Sequence, residues 1–173
     1  MNAIDRKVEP KANELLKRFQ IDSAPINVFK IAENLGIKVN FDNLDSDTSG
    51  VMLHKKNKTS VAINSSHHIN RQRFTLAHEI GHYLLHLSDH EDEKIFIDKR
   101  FFRNSESSKG STKLEIEANA FAASLLMPKK LIKESIQNPV ISDMDIFRLA
   151  HQYEVSEQAM TLRLVKLEII EPD

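Results

Sequence analysis

FTLAHEIGHYLLH, residues 74–86, is the stretch from which the rest of the chain can be read. It contains H-E-x-x-H as His78-Glu79-Ile80-Gly81-His82. Helical positions i and i+4 share a face, so His78 and His82 can present two imidazoles to one metal ion. Glu79 stands beside such an ion rather than on it, placed to take a proton from an attacking water. Apart from Glu79 and the histidines, residues 74–85 carry no charge, as suits a ligand helix buried in a small domain. The plain alternative is a core helix with two hydrogen-bonded histidines, and the five-residue motif alone does not choose between them.

Gly81 adds to the metal reading. A glycine inside a helix costs about 1 kcal/mol relative to alanine. Its presence points to close approach by another element at that position. A second helix carrying a third ligand would be such an element.

A catalytic zinc site wants three protein ligands and one open position. His86 is on the same helix, but a rise of about 1.5 Å per residue carries it too far from His78 along the axis. The longer motif H-E-x-x-H-x-x-G-x-x-H is absent, because Leu85 stands where its glycine would be and Ser88 where its histidine would be. That leaves Glu115 or Glu117, in the run LEIEANAFAASLLM at residues 114–127, which reads as a second long helix. At about 100° per residue, Glu115 shares a face with Ala118, Asn119, Ala122, Leu125 and Leu126. Near the glutamate this face is small enough to reach Gly81, and Asn119, four residues after Glu115, could hydrogen-bond a ligand imidazole. Glu117 points elsewhere, with Phe121 and Ser124. Glu115 is the favoured ligand and Glu117 the alternative.

The remaining chain supplies a scaffold for such a site. Residues 10–19 and 27–35 have helical apolar spacing, with Pro10 in a first turn and Gly36 closing the second helix. Residues 37–41 alternate as a strand. Residues 50–54 and 60–64 form a hairpin, one edge of which could take an extended substrate by strand addition. The hairpin leads into the motif helix, with Asn70 as its N-cap. Residues 104–112 read as a mobile loop, and the apolar islands at 95–97 and 101–102 as a strand pair or a lid. After Pro128, residues 129–136 form a short helix, and Ser142 and Ser156 cap two more, at 143–152 and from 157 to about 169. The fold class is therefore α+β: a small, mostly antiparallel sheet packed on a zinc-ligand helix, with additional helices at both ends. Residues 1–128 are expected to form the metallopeptidase core and 129–173 a helical extension packed on it.

Composition narrows the function classes. With 173 residues there is room for one core. Lys plus Arg number 24 and Asp plus Glu 25, a net charge of −1 that provides no field for nucleic acid or anionic membrane. There is no cysteine, which excludes disulfides, thiolate zinc sites and a cysteine nucleophile. No signal peptide is visible and no apolar run approaches a membrane span, so a cytoplasmic protein is expected.

The two helices together, FTLAHEIGHYLLH at 74–86 and EIEANAFAASLLMP at 115–128, resemble the ImmA/IrrE family of zinc metallo-endopeptidases. PINVFKIAENLGIKV at 25–39 and the hairpin fit the same resemblance. It implies Zn2+ held by His78, His82 and Glu115, with Glu79 as the catalytic glutamate; Glu117 also matches the family's motif. It further implies, as substrate, a helix-turn-helix transcriptional repressor of a phage, mobile element or stress-response locus. Oxyanion donors are sought among His67, His68, His86, His151 and Tyr153. Two other classes compete. Residues 149–164 look like a helix-turn-helix, which would suit a DNA-binding regulator, but the second helix carries only Arg163 and Lys166 as cations. A catalytically inactive, repressor-binding protein is the third reading, against which Glu79 argues.

Overall fold

The computed structural model describes residues 3–55, 58–87, 94–99, 109–138 and 140–172. In chain order the elements are α1 (Ala3–Arg18), α2 (Val28–Asn34), β1 (Ile37–Asp42), β2 (Thr48–Lys55), β3 (Lys58–Asn64), α3 (Ile69–His82), a π-helical turn (Tyr83–Leu87), β4 (Lys94–Lys99), α4 (Lys109–Leu126), α5 (Lys129–Ser135), α6 (Asp143–Tyr153) and α7 (Glu157–Lys166). They sort into two compact units, Asn27–Ala122 and Met1–Ile26 with Ala123–Asp173. The expected α+β class holds.

In the first unit the four strands lie in the order β1-β3-β2-β4. β2 runs antiparallel to both β3 and β4, whereas β1 runs parallel to β3. The sheet is thus mostly antiparallel, with one parallel pairing. The hairpin expected from residues 50–64 is present, but both of its strands are interior. Among the described strands β1 and β4 are the outer ones, which corrects the expectation of a free hairpin edge. Alternation decides which face is buried. Gly50, Met52 and His54 of β2 stand opposite Ile63, Val61 and Thr59 of β3, and all six are buried. His54 Nδ1 lies 2.8 Å from Thr59 Oγ1, joining the last of these cross-strand pairs.

Asn64, fully buried at the end of β3, fixes the entry into α3. Its Nδ2 donates to the carbonyls of Leu44, Asp45 and Thr48 at 3.3, 3.1 and 2.8 Å, and its Oδ1 accepts from Ser66 N and Oγ at 3.0 and 2.7 Å. Gln72 Nε2 donates to the carbonyls of Asn64, Ser65 and His67. The N-cap is His68, whose Nδ1 accepts from Asn70 N at 3.2 Å, and not Asn70 as its residue type suggested. Two side-chain braces outweigh local cap preference here. α2 starts as expected, with Asn27 accepting from Lys30 N, and Gly36 takes φ +73° after it.

In the second unit, α1 begins seven residues before Pro10, which lies inside the helix rather than in its first turn. An interior proline removes one backbone hydrogen bond. Burial of Val8, Ala12, Leu15 and Leu16 offsets that loss, and the buried carboxylates are paired, Asp5 with Lys166 Nζ at 2.6 Å and Glu9 with Arg163 Nη2 at 2.9 Å. Ser142 and Asp145 form a capping box on α6, and Ser156 Oγ accepts from Ala159 N to start α7. α7 ends at Lys166, three residues earlier than its apolar pattern suggested. The loop read at 104–112 falls largely, and the islands at 101–102 wholly, outside the described residues; residues 95–97 lie in β4.

Candidate metal centre

α3 places His78 and His82 one turn apart, as their spacing requires. Their Nε2 atoms are 2.9 Å apart, with the rings nearly perpendicular at 79°. Both side chains are buried. α4 brings Glu115 against them, Oε2 at 3.2 Å from His78 Nε2 and Oε1 at 3.1 Å from His82 Nε2. Glu115 keeps 44% side-chain exposure, so the cluster is walled by histidines on one side and open on the other. Three donor atoms around a tetrahedral ion with ~2.0–2.1 Å bonds stand about 3.3 Å apart. The observed separations fit such an ion, and two imidazoles with one carboxylate are a donor set suited to it. This is the one such cluster of three among the described residues.

The local chemistry keeps these groups ready to bind. Burial alone would raise the pKa of the Glu115 carboxyl. Hydrogen bonds and charge from His78 and His82 outweigh that and hold it well below the usual carboxylate range. Asn119, one turn along α4, sets its Oδ1 3.0 Å from His78 Nδ1. An amide oxygen can only accept, so this contact assigns the proton to Nδ1 and leaves the Nε2 lone pair facing the cluster.

Glu79 is buried and contributes no atom to the ligand cluster. It faces β2, where a Cβ on Gly50 would stand 3.5 Å from Glu79 Oε1 and 2.6 Å from Thr75 Cγ2. Gly50 therefore leaves the space that Thr75 and Glu79 occupy. The sequence reading passed over this residue. An isolated glycine within a strand pattern was the available signal.

Helix α4 approaches α3 at Gly81, as anticipated. A Cβ there would meet Ala118 Cα, Ala118 O and Phe121 Cδ1, each at 3.2 Å. Of the two candidate glutamates, Glu115 reaches the histidine pair. Glu117 is 2% exposed and turned along α3, with Oε2 3.9 Å from His86 Nε2. His86 stands outside the cluster, consistent with its distance along the helix. The candidate oxyanion donors are dispersed. His68 caps α3, His86 faces Glu117, and Tyr153 OH lies 3.0 Å from Ser135 Oγ in the other unit, where His151 is exposed on α6. His67 is half-buried in the turn before α3. A pair that sequence reading missed, His54 and Tyr83, packs with ring centroids 5.9 Å apart where β2 passes the π-helical turn.

An H-E-x-x-H helix, a carboxylate from a second helix completing a cluster of three donors, and a small sheet beside them define a metallopeptidase. The chain belongs to the Peptidase_M78 family, the IrrE N-terminal-like domain, whose model matches residues 32–165. It is 26% identical over 129 residues to the metallopeptidase ImmA of Bacillus subtilis, covering 75% of this chain and 69% of that one. To the radiation response metalloprotease IrrE of Deinococcus radiodurans it is 34% identical over 106 residues, 61% of this chain but only 30% of the relative. Immunity region protein 2 of Bacillus phage phi105 is 24% identical over 127 residues, 73% of this chain and 72% of that one. A solved chain described as a Mycobacterium tuberculosis transcriptional regulator shares the fold, with TM-score 0.61 and 16% identity over 95% of this chain and 47% of its own length.

Proposed function

We propose that this protein is a zinc-dependent endopeptidase that cuts a cytosolic helix-turn-helix transcriptional repressor at one or a few sites. The observation that carries the reading is the convergence of His78, His82 and Glu115 within 3.2 Å of one another, with buried Glu79 at the next helical position. His78 and His82 would hold the ion through Nε2 and Glu115 through a carboxylate oxygen. When bound, zinc supplies a Lewis acid that polarises the scissile carbonyl and makes a water acidic enough to lose a proton near neutral pH. Glu79 takes that proton on a carboxylate oxygen and passes it to the leaving amine. Asn119 holds the His78 ring and its tautomer. The half-exposed flank of Glu115 is where substrate enters.

The repressor as substrate comes from the resemblance of residues 74–86 and 115–128 to the ImmA/IrrE peptidases, and the similarity to a phage immunity-region protein and a radiation-response protease agrees with a regulatory role. A specific protease needs contacts beyond the scissile bond. Among the described residues no helix is long and apolar enough to cross a membrane. The DNA-binding alternative loses support at α7. Arg163 is buried and bonded to Glu9 and to Met127 O, and Lys166 is paired with Asp5, so the two cations of this helix are engaged within the protein.

The test is incubation of the zinc-loaded protein with a helix-turn-helix repressor encoded beside it, and separately with casein, read by mass spectrometry. One or a few discrete cuts in the repressor, lost with chelator, are expected. Rapid casein digestion with an intact repressor would overturn the substrate assignment.

A further inference from the structure

The Glu117–His86 contact has no place in the ligand cluster, yet both side chains are ionisable and buried within a few ångströms of it. Glu117 is 2% exposed and His86 8% at the side chain. His86 belongs to the π-helical turn that directly follows His82, and its ring centroid is 5.6 Å from that of His82. A π-turn places its side chains differently from an α-turn, and such turns recur at functional sites. On α4, Glu117 sits between the ligand Glu115 and Asn119.

The three contacts around the helix crossing have a definite order. At the centre, Gly81 lies against the backbone of Ala118, where an added Cβ would stand 3.2 Å from Ala118 Cα and O, tighter than ordinary contact. Toward the N-terminus of α3, Asn119 meets His78 at 3.0 Å. Toward its C-terminus, Glu117 meets His86 at 3.9 Å. A helix resting on one close backbone contact can still roll about it. Polar contacts on both flanks oppose roll in either sense, and the group that roll would displace is Glu115, one turn away from Asn119.

We propose that Glu117 and His86 form a positioning pair that fixes the rotation of α4 on α3 and thereby presents Glu115 to His78 and His82. Neither residue is a ligand or touches substrate. The pair acts through Glu115, opposite Asn119, and the inference rests on the metal-site reading above. Replacing residues that orient metal ligands typically costs 10–100-fold in metal affinity, and a loss in that range is expected here.

The experiment uses the full chain loaded with Co2+, whose visible absorption reports ligand number and geometry, together with zinc affinity by chelator competition. Wild type should bind metal and His78→Ala should not. If wild type binds none, the metal-site reading itself fails. With that control met, Glu117→Ala should bind about 10-fold or more weakly and give an altered Co2+ spectrum. Glu117→Gln, which keeps the shape and polarity of the side chain beside His86, should restore both. The melting temperature of the metal-free protein should be the same for Ala and Gln to within a few degrees, which a purely structural role would not give. His86→Phe keeps an aromatic ring and removes the nitrogen that faces Glu117. It should reproduce the spectral change, and it decides the matter if Glu117→Ala does not fold. Wild-type affinity and spectrum in folded Glu117→Ala, or in His86→Phe, would overturn the proposal.

Discussion

Gly81 of α3 lies against the backbone of Ala118 in α4: a Cβ at Gly81 would stand 3.2 Å from both the Cα and the carbonyl oxygen of Ala118. This crossing sets how near the carboxylate helix comes to the histidine helix. The separations of Glu115 from His78 and His82 follow from it.

Substitutions at Gly81 should therefore act on fold and metal together. Gly81→Ala gains about 1 kcal/mol of helix propensity and loses a comparable amount by pressing on Ala118, so its net effect on stability should be small. Gly81→Val adds bulk that a backbone neighbour cannot yield to, and overpacking of this kind costs ~1–3 kcal/mol. Urea unfolding of the metal-free protein measures both. Wild-type stability in Gly81→Val would mean that the two helices separate freely and the crossing does not position the site.

Gly50 supplies a second steric test, on the other side of α3. A methyl group there would sit 2.6 Å from Thr75 Cγ2. Threonine is stiff at χ1 and cannot swing that methyl aside at no cost. Gly50→Ala should destabilise the protein by ~1–3 kcal/mol. Thr75→Ser, which deletes the clashing methyl, should recover most of the loss in the double variant. Thermal melts of the two single variants and the double give the coupling directly. Additive effects would show that the clash is relieved elsewhere.

Some of this was legible in the sequence and some was not. The i, i+4 histidines, the glycine between them and the small face beginning at Glu115 are local helical patterns, and local patterns survive into the structure because a helix fixes its own side-chain directions. Ser142 and Ser156 cap their helices for the same reason. Sheet order depends on pairings between distant segments, and nothing in the spacing of residues 37–64 says that β1 joins β3 in parallel and leaves β2 inside. The cap at His68 and the long α1 through Pro10 are tertiary effects, set by Gln72 in one case and by Arg163 and Lys166 in the other. Glu117 was kept as the alternative ligand because it points away from the face of Glu115, and that helical pattern is silent about its burial beside His86.

Metal content should separate Glu115 from Glu117. His78→Ala, His82→Ala and Glu115→Ala each remove one of the three clustered donors and should abolish stoichiometric zinc in purified protein. Glu117→Ala should still reach full occupancy at saturating zinc, with weaker affinity. Elemental analysis after dialysis, with and without added zinc, tests this. Full zinc in Glu115→Ala alongside none in Glu117→Ala would reverse the assignment.

Glu79→Gln separates binding from chemistry. The amide fills the same space beneath Gly50 but cannot accept the proton. Zinc content and melting temperature should stay near wild type while cleavage falls at least ~100-fold, the lower range for loss of a general base. Cleavage at an undiminished rate would sink the assigned role.

Arg163 tests what α7 is for. The residue is 2% exposed, with Nη2 donating to Glu9 at 2.9 Å and Nε to Met127 O at 3.0 Å. Removing one partner of a buried ion pair leaves the other charge buried and uncompensated, at a cost of ~3–5 kcal/mol. Arg163→Met should lose stability on that scale, and adding Glu9→Gln should recover part of it, because the stranded carboxylate is then gone. A DNA-reading helix behaves otherwise: its arginine is exposed, and replacing it lowers duplex affinity while leaving the fold alone. The wild-type protein should accordingly show no sequence-specific duplex binding at physiological salt. A nanomolar footprint on DNA, with unchanged melting of Arg163→Met, would return α6 and α7 to the role of a DNA-binding module.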